Sequence, residues 1–158
     1  FCVMTRLCDN TLTTLGTTQF QEHTKLMTAQ VKDLIRSHNP ICRASETLTS
    51  AMVAMTESGL GIVSLVDEDG NIAGIFTDGD LRRRLQHDGR EILDKTLEEI
   101  GYSKNPVTIG AEALLDEVVR LFKEFEVDSI VVIKNSKPTG VLDIQDIIKL
   151  GLLGQEHL

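Results

Sequence analysis

The sequence predicts an α/β (α+β) module built from two pseudo-twofold-related units, each β-α-β-β-α, packed as one compact body. Three observations lead there. First, the chain repeats itself, which is the earliest thing to test in a sequence of this length. Asn39-Pro40-Ile41 returns as Asn105-Pro106-Val107, an offset of 66 residues (105 − 39). The same offset pairs Glu46 with Glu112, Leu48 with Leu114, Val53 with Val119 and Val66 with Val132. It also pairs Gly74 with Gly140 and Asp80 with Asp146, and it reads without a gap from Leu34/Ile100 to Leu81/Ile147. Second, the elements within each copy alternate in the same order. Third, a unit of about fifty residues buries too little apolar surface to stand comfortably alone. Two copies joined through Ile92 to Ile100 are therefore expected to bury their sheets together.

In the first copy, Pro40 to Cys42 reads as a short extended piece, because the residue before a proline avoids the helical region. Ser45 is the expected cap of a helix whose apolar positions Leu48, Ala51, Met52 and Met55 follow helical spacing. Gly59 and Gly61 let the chain turn from helix to strand. Ile62 to Val66 and Ile72 to Phe76 are β-rich runs, and Asp67-Glu68-Asp69-Gly70-Asn71 between them is a hairpin signal. A helix begins near Thr77 and carries Leu81 and Leu85. The second copy reads as a strand at Val107 to Ile109, a helix from Ala111 to Phe125, strands at Ser129 to Ile133 and Thr139 to Leu142, and a closing helix from Asp143. The expected organisation is a linker or extension over 1–25, with seven threonines and no period. A first unit over 26–90, a second over 91–153 and a tail over 154–158 follow.

Composition narrows the function. Hydrophobic content of 41% with 25% charged residues suits a soluble globular chain, and no apolar run is long enough to span a bilayer. The formal net charge of −8 and the lack of Trp argue against nucleic acid and against acidic membrane surfaces. Cys2, Cys8 and Cys42 form no CxxC pair, which fits a reducing, cytoplasmic setting with Cys42 as a small buried hydrophobe. The four histidines, His23, His38, His87 and His157, show no ligand spacing, so no metal site is expected. The chain starts at Phe1 rather than Met, which reads as a piece of a longer protein.

Two segments carry chemistry, Gly74-Ile75-Phe76-Thr77-Asp78-Gly79-Asp80-Leu81-Arg82-Arg83-Arg84 and Gly140-Val141-Leu142-Asp143-Ile144-Gln145-Asp146. Each places a strand directly before a helix. A helix start offers free N–H groups and a positive dipole end, which suit a phosphate. An ionised Asp80 is acceptor-only, so its two oxygens fit the hydroxyls of a cis-diol such as ribose. Thr77 and the arginines add donors. Thr-x-x-Asp before an apolar run is equally a capping box, in which Asp80 only satisfies backbone donors. Both readings stand on these residues. No nucleophile–base pair, P-loop or GxGxxG appears, so no catalytic residue is assigned.

The phrase from Gly74 to Arg83 resembles the CBS-domain family, whose repeats end in Gly, two apolar residues, Thr or Ser, and an Asp three places on. The wording is similar to the first CBS repeat of bacterial arabinose-5-phosphate isomerases, and Gly140-Val141-Leu142 through Asp146-Ile147-Ile148 to Gly151-Leu152-Leu153 resembles their C-terminus. Some sugar nucleotidyltransferases carry a similar Thr-Asp-Gly-Asp phrase. The resemblance covers about Met27 to Leu153. It implies a regulatory module lacking chemistry of its own, working beside a separate sugar-isomerase (SIS) domain that interconverts ribulose and arabinose 5-phosphates for Kdo and lipopolysaccharide synthesis. It also implies an adenine or cytidine nucleotide, or CMP-Kdo, bound between repeats. The implied ligand-binding set is Thr77, Asp80 and Arg83 with Asn39, Pro40, Ile41 and Ile62, and Asp146, Pro106 and Val107 from the second copy. Asp143 stands where the family has Thr or Ser, so a phosphate-bearing nucleotide is expected to occupy the first copy's site well and the second poorly. Homo-oligomers through CBS pairs are expected. The competing readings are a ligand-free dimerisation module and the regulatory pair of a nucleotidyltransferase.

Overall fold

Leu48, Ala51 and Met55 recur at helical spacing and are all buried, as are Leu115, Val118 and Phe122, and each set draws the first helix of its copy onto a three-stranded sheet. In the computed structural model, which describes residues 30–35 and 39–150, the first copy runs β1 (Ile41–Arg43), α1 (Leu48–Ser58), β2 (Ile62–Val66), β3 (Ile72–Thr77) and α2 (Asp78–Asp88). A 3-10 turn (Gly89–Ile92) and α3 (Leu97–Ile100) lead to the second copy. That copy comprises β4 (Thr108–Gly110), α4 (Leu115–Phe125), β5 (Ser129–Lys134), β6 (Lys137–Asp143) and α5 (Ile144–Lys149). Each copy is β-α-β-β-α, as expected. The sheets are ordered β1-β2-β3 and β4-β5-β6, with the first pair of each parallel and the second antiparallel. The expected extension over 1–25 and tail over 154–158, with Cys2, Cys8, His23, His38 and His157, lie outside the described residues.

Two helix starts differ from expectation. The cap of α1 is Thr47, whose hydroxyl accepts from the Ser50 N–H, and not Ser45. Ser45 is used in a turn closed by the Glu46 N–H on the Arg43 carbonyl, with the Glu46 carboxylate accepting the Arg43 N–H. Helix α4 starts at Leu115 rather than Ala111. The Ala111 N–H is taken by the Ile133 carbonyl, and the Ala111 and Ala113 carbonyls accept from Lys32 and Val31, so this stretch is committed before a helix can form.

The repeat is also not ungapped. Ile41 pairs with Ser64 and Thr108 with Val131, and the Pro40 and Val107 carbonyls accept from Ser64 and Val131 respectively. From β1 to β5 the equivalent residues are therefore 67 apart (131 − 64). Leu48 matches Leu115, both fully buried, whereas Leu114 is 45% exposed. Gly59 matches Glu126, and each closes its helix in the left-handed region, at φ 64° and 50°. The register returns to 66 after the hairpins, where Gly74 matches Gly140. The cause is turn length. Between Val66↔Ile72 there are five residues, and between Ile133↔Pro138 only four. The longer turn is tied by the Asp67 carboxylate, which accepts from the backbone of Asp69 and Asn71 and is thereby held below its ordinary pKa. The shorter turn uses Asn135 and Ser136, both at positive φ, the twist that a two-residue hairpin needs.

The two copies exchange their leading segments. Val31 precedes the first copy yet is wholly buried in the core of the second, with Leu115, Val118, Phe122, Ile130 and Ile147. Leu97, Ile100 and Ile92 precede the second copy yet are buried in the first, with Leu48, Val63, Leu65 and Phe76. Backbone bonds fix both crossings. Val31 and Lys32 donate to Ala113 and Ala111, and Leu97 and Glu98 donate to Glu46 and Ala44. Lys32 and Glu112 add an exposed ion pair at 2.8 Å, and Thr96 and Glu99 a capping box on α3. The repeated glycine has its reason here. A Cβ on Gly74 would sit 2.3 Å from the Ser103 carbonyl oxygen and 2.6 Å from the Tyr102 ring, and one on Gly140 would sit 2.8 Å from Ile35. Only glycine lets the incoming segment cross the strand.

A third apolar cluster of Leu60, Ile62, Val131 and Val141, with Ile72, Ile75 and Ile133 against it, joins the two sheets. The Ile72 N–H donates across this seam to the Ser136 carbonyl at 2.8 Å. Cys42 is buried in the first core, where burial pushes its thiol up to about 11. Among the described residues no helix is long and apolar enough to cross a membrane.

Leu97→Ala is expected to lose about 2–5 kcal/mol, the range for a buried leucine, matching Leu48→Ala although Leu97 lies in the connecting segment. Denaturant unfolding of both variants checks this, and a loss below about 1 kcal/mol for Leu97→Ala alone contradicts the exchanged-segment packing.

Candidate ligand-binding cleft between the copies

Strand β3 ends in Thr77, which becomes the cap of α2. The Thr77 hydroxyl accepts from the Asp80 N–H at 3.2 Å and donates to Asp80 Oδ2 at 2.8 Å, while the Thr77 N–H donates to the same oxygen at 3.0 Å. The capping box is complete. The second Asp80 oxygen pairs with Arg83 Nη2 at 2.5 Å. The Asp78 N–H reaches the Gly61 carbonyl at 2.8 Å. In the second copy Asp143 caps α5 by accepting from the Gln145 N–H at 2.7 Å, and the Ile144 N–H reaches the Asp128 carbonyl at 2.9 Å. Gly61 and Asp128 are thus equivalent positions, and so are Thr77 and Asp143.

These strand starts and helix starts face a cleft of about 460 Å³. The first copy contributes Gly61, Ile62, Ile75, Thr77, Asp78, Gly79, Arg82 and Arg83. The opposite wall is Ser103, Asn105, Pro106 and Val107 before β4, then Glu126, Val127, Asp128, Ser129 and Asp143. Its size falls within the range of small-molecule sites, and Ile62, Ile75, Pro106, Val107 and Val127 give it an apolar part. Of the residues picked from sequence, Thr77, Arg83, Ile62, Pro106 and Val107 line this cleft together. Asp80, Asn39, Pro40, Ile41 and Asp146 do not. Asp80 is turned into the cap and onto Arg83. Asn39 lies against β6, its Nδ2 donating to the Pro138 carbonyl at 2.9 Å while its buried Oδ1 has no partner among the described residues. Pro40 is buried, Ile41 is 42% exposed at the start of β1, and Asp146 pairs with Lys149 at 3.4 Å.

Sequence reading missed Asp78, Ser103, Asn105, Glu126, Asp128 and Ser129. A register of 67 would have found Ser129, because it sets Ser129 opposite Ile62; Glu126 and Asp128 fall opposite Gly59 and Gly61, which gave no site signal. Asp143 was expected at a separate second site, and it lines the same cleft as Thr77. Among the described residues no group of three or more His, Cys, Asp or Glu side chains is placed to hold a metal ion.

The fold and this cleft define a tandem-repeat α/β module whose two halves share one concave surface. The chain belongs to the CBS domain family, which matches residues 31–87 and again 97–152. It is 34% identical over 108 residues to the arabinose 5-phosphate isomerase KdsD of Pseudomonas aeruginosa, covering 68% of this chain and 32% of that protein. It is 29% identical over 126 residues to the KdsD of Francisella tularensis, covering 78% and 38%. The chain thus spans about a third of the length of these curated relatives. Its fold is that of the CBS domain pair of protein MJ0100, solved in complex with 5′-methylthioadenosine and S-adenosyl-L-methionine. The TM-score is 0.68 at 22% identity, over 78% of this chain and 96% of that one.

Thr77→Ala and Asp80→Ala are each expected to cost about 1 kcal/mol through loss of the cap. The double variant should cost little more than either single one, because both residues serve one box. Thermal or urea unfolding of the three variants checks this, and additive losses contradict it.

Proposed function

We propose that this chain is a ligand-sensing regulatory module, and that a small molecule carrying a nucleoside lies in the cleft between its copies. The observation that carries this reading is that both walls of one cleft come from different copies. A ligand there touches Thr77 and Arg83 on one side and Pro106 and Val107 on the other. Sensing requires that a ligand favour one arrangement of the protein over another. A site made of two packed halves, each finished by the other's leading segment, meets that requirement, since any shift between the halves changes the site. Likeness to the two KdsD proteins supports a parent protein that is a sugar-phosphate isomerase of the ribulose 5-phosphate and arabinose 5-phosphate kind, cytoplasmic, with its chemistry in a separate SIS domain. The adenosyl compounds bound to MJ0100 support nucleosides as the ligand class. Within that class stand adenine and cytidine nucleotides and CMP-Kdo. Asp80 would enter as a ligand group only by leaving its cap and Arg83, and Asp146 by turning from Lys149.

A thermal-shift panel of adenosine, AMP, ATP, cytidine, CMP and CMP-Kdo tests the reading. At a hundredfold excess over Kd, a bound ligand stabilises by about 2.7 kcal/mol, which is several degrees for a chain of this size. At least one compound is expected to raise the melting temperature with concentration, and Val107→Trp, which fills the apolar part, should abolish the shift. A chain that responds to none of them is a pairing module instead of a sensor, and a shift that survives Val107→Trp places binding elsewhere.

A further inference from the structure

The geometry points to a cleft that selects nucleosides by charge, taking those with an uncharged or cationic 5′ substituent and turning away di- and triphosphates. This rests on the cleft being the ligand site and narrows the class of ligand it takes. Four carboxylates line it, those of Asp78, Glu126, Asp128 and Asp143, against the two guanidiniums of Arg82 and Arg83, a formal balance of −2. Three of the four acids come from the second copy, where the equivalent positions of the first hold Gly59, Gly61 and Thr77. One wall is therefore acidic.

Several of the groups that would hold a phosphate are already engaged. At the start of α2, an eleven-residue helix, the Asp78 N–H is on the Gly61 carbonyl and the Asp80 N–H on the Thr77 hydroxyl. The Thr77 hydroxyl proton and one Arg83 amino group are on the Asp80 carboxylate, and Arg82 Nε is on the Asp78 carbonyl at 3.3 Å. Asp78 and Asp80 both sit in the first turn, where their charges offset the positive end of the helix. At the other helix start the cap is Asp143 itself, a carboxylate where an anion would approach. The second copy's side of the cleft offers chiefly acceptors. Ionised carboxylates accept from ribose hydroxyls and from amino or ammonium groups, while Ile62, Ile75, Pro106 and Val107 offer an apolar surface for the face of a base.

Calorimetric titration of the full chain with adenosine, AMP, ATP and S-adenosyl-L-methionine, with cytidine, CMP and CTP as the parallel series, tests this. Adenosine and the cationic S-adenosyl-L-methionine should bind most tightly, or cytidine in its series, with the triphosphate weaker by at least about tenfold. Added salt screens repulsion, so triphosphate binding should strengthen between low salt and about 0.15 M. Glu126→Gln with Asp128→Asn, both exposed and outside the cores, should raise the triphosphate-to-nucleoside affinity ratio about threefold or more. A triphosphate that binds more tightly than its nucleoside, and loses affinity as salt is added, overturns the charge selection and leaves the cleft standing as a site. Heat from none of the seven compounds overturns the ligand site itself, and the charge selection with it.

Discussion

Val31 and Leu97, each wholly buried in the core of the copy it does not lead into, hold the two halves as one unit. Burying one such side chain is worth about 1.5–3 kcal/mol, a large share of the 5–15 kcal/mol that stabilises an ordinary domain. Each copy's core is completed by residues of the other's leading segment. The remaining features serve that exchange. Gly74 and Gly140 leave room for the crossing chain, and the Ile75 and Ser103 backbones bond to each other both ways, at 2.9 and 3.0 Å, where it crosses. Thr96 and Glu99 close the short helix that delivers Leu97 and Ile100.

Exchange of segments also explains where the cleft lies. With the sheets joined along Leu60, Ile62, Val131 and Val141, the starts of β2 and β5 come together, and the helix starts at Thr77 and Asp143 face the same space. Ser103 to Val107 enters as the end of the crossing segment, so the second copy's lead forms a wall beside the first copy's helix. The repeat gives the cleft its symmetry, and substitutions at three equivalent positions remove it. Gly59, Gly61 and Thr77 carry no charge, whereas Glu126, Asp128 and Asp143 do.

Local chemistry was legible in the sequence, and long-range placement was not. The Thr77–Asp80 box, the hairpins and the β-α-β-β-α order follow from spacing and turn residues that act within a few positions of one another. The glycine of the repeated motif was visible, but its cause was not, because Tyr102, Ser103 and Ile35 reach it only through tertiary crossing. The register was misread in the middle of each copy. Matches at both ends share the offset of 66, and an extra residue before β4 compensates for the shorter second hairpin. Identical letters such as Leu48 and Leu114 then aligned by chance, while burial pairs Leu48 with Leu115. That single-residue slip hid Ser129, the equivalent of Ile62, from the site, and it set Asn39 against Asn105, of which only Asn105 reaches the cleft.

Hydrogen exchange of the chain with and without a saturating nucleoside tests the shared cleft most directly. Backbone amides that open locally report binding segment by segment. Added protection is expected in both copies at once, at Gly61–Ile62 and Thr77–Gly79 on one side and at Asn105, Val107 and Glu126–Ser129 on the other. Protection confined to the segments of a single copy would contradict a site built from both.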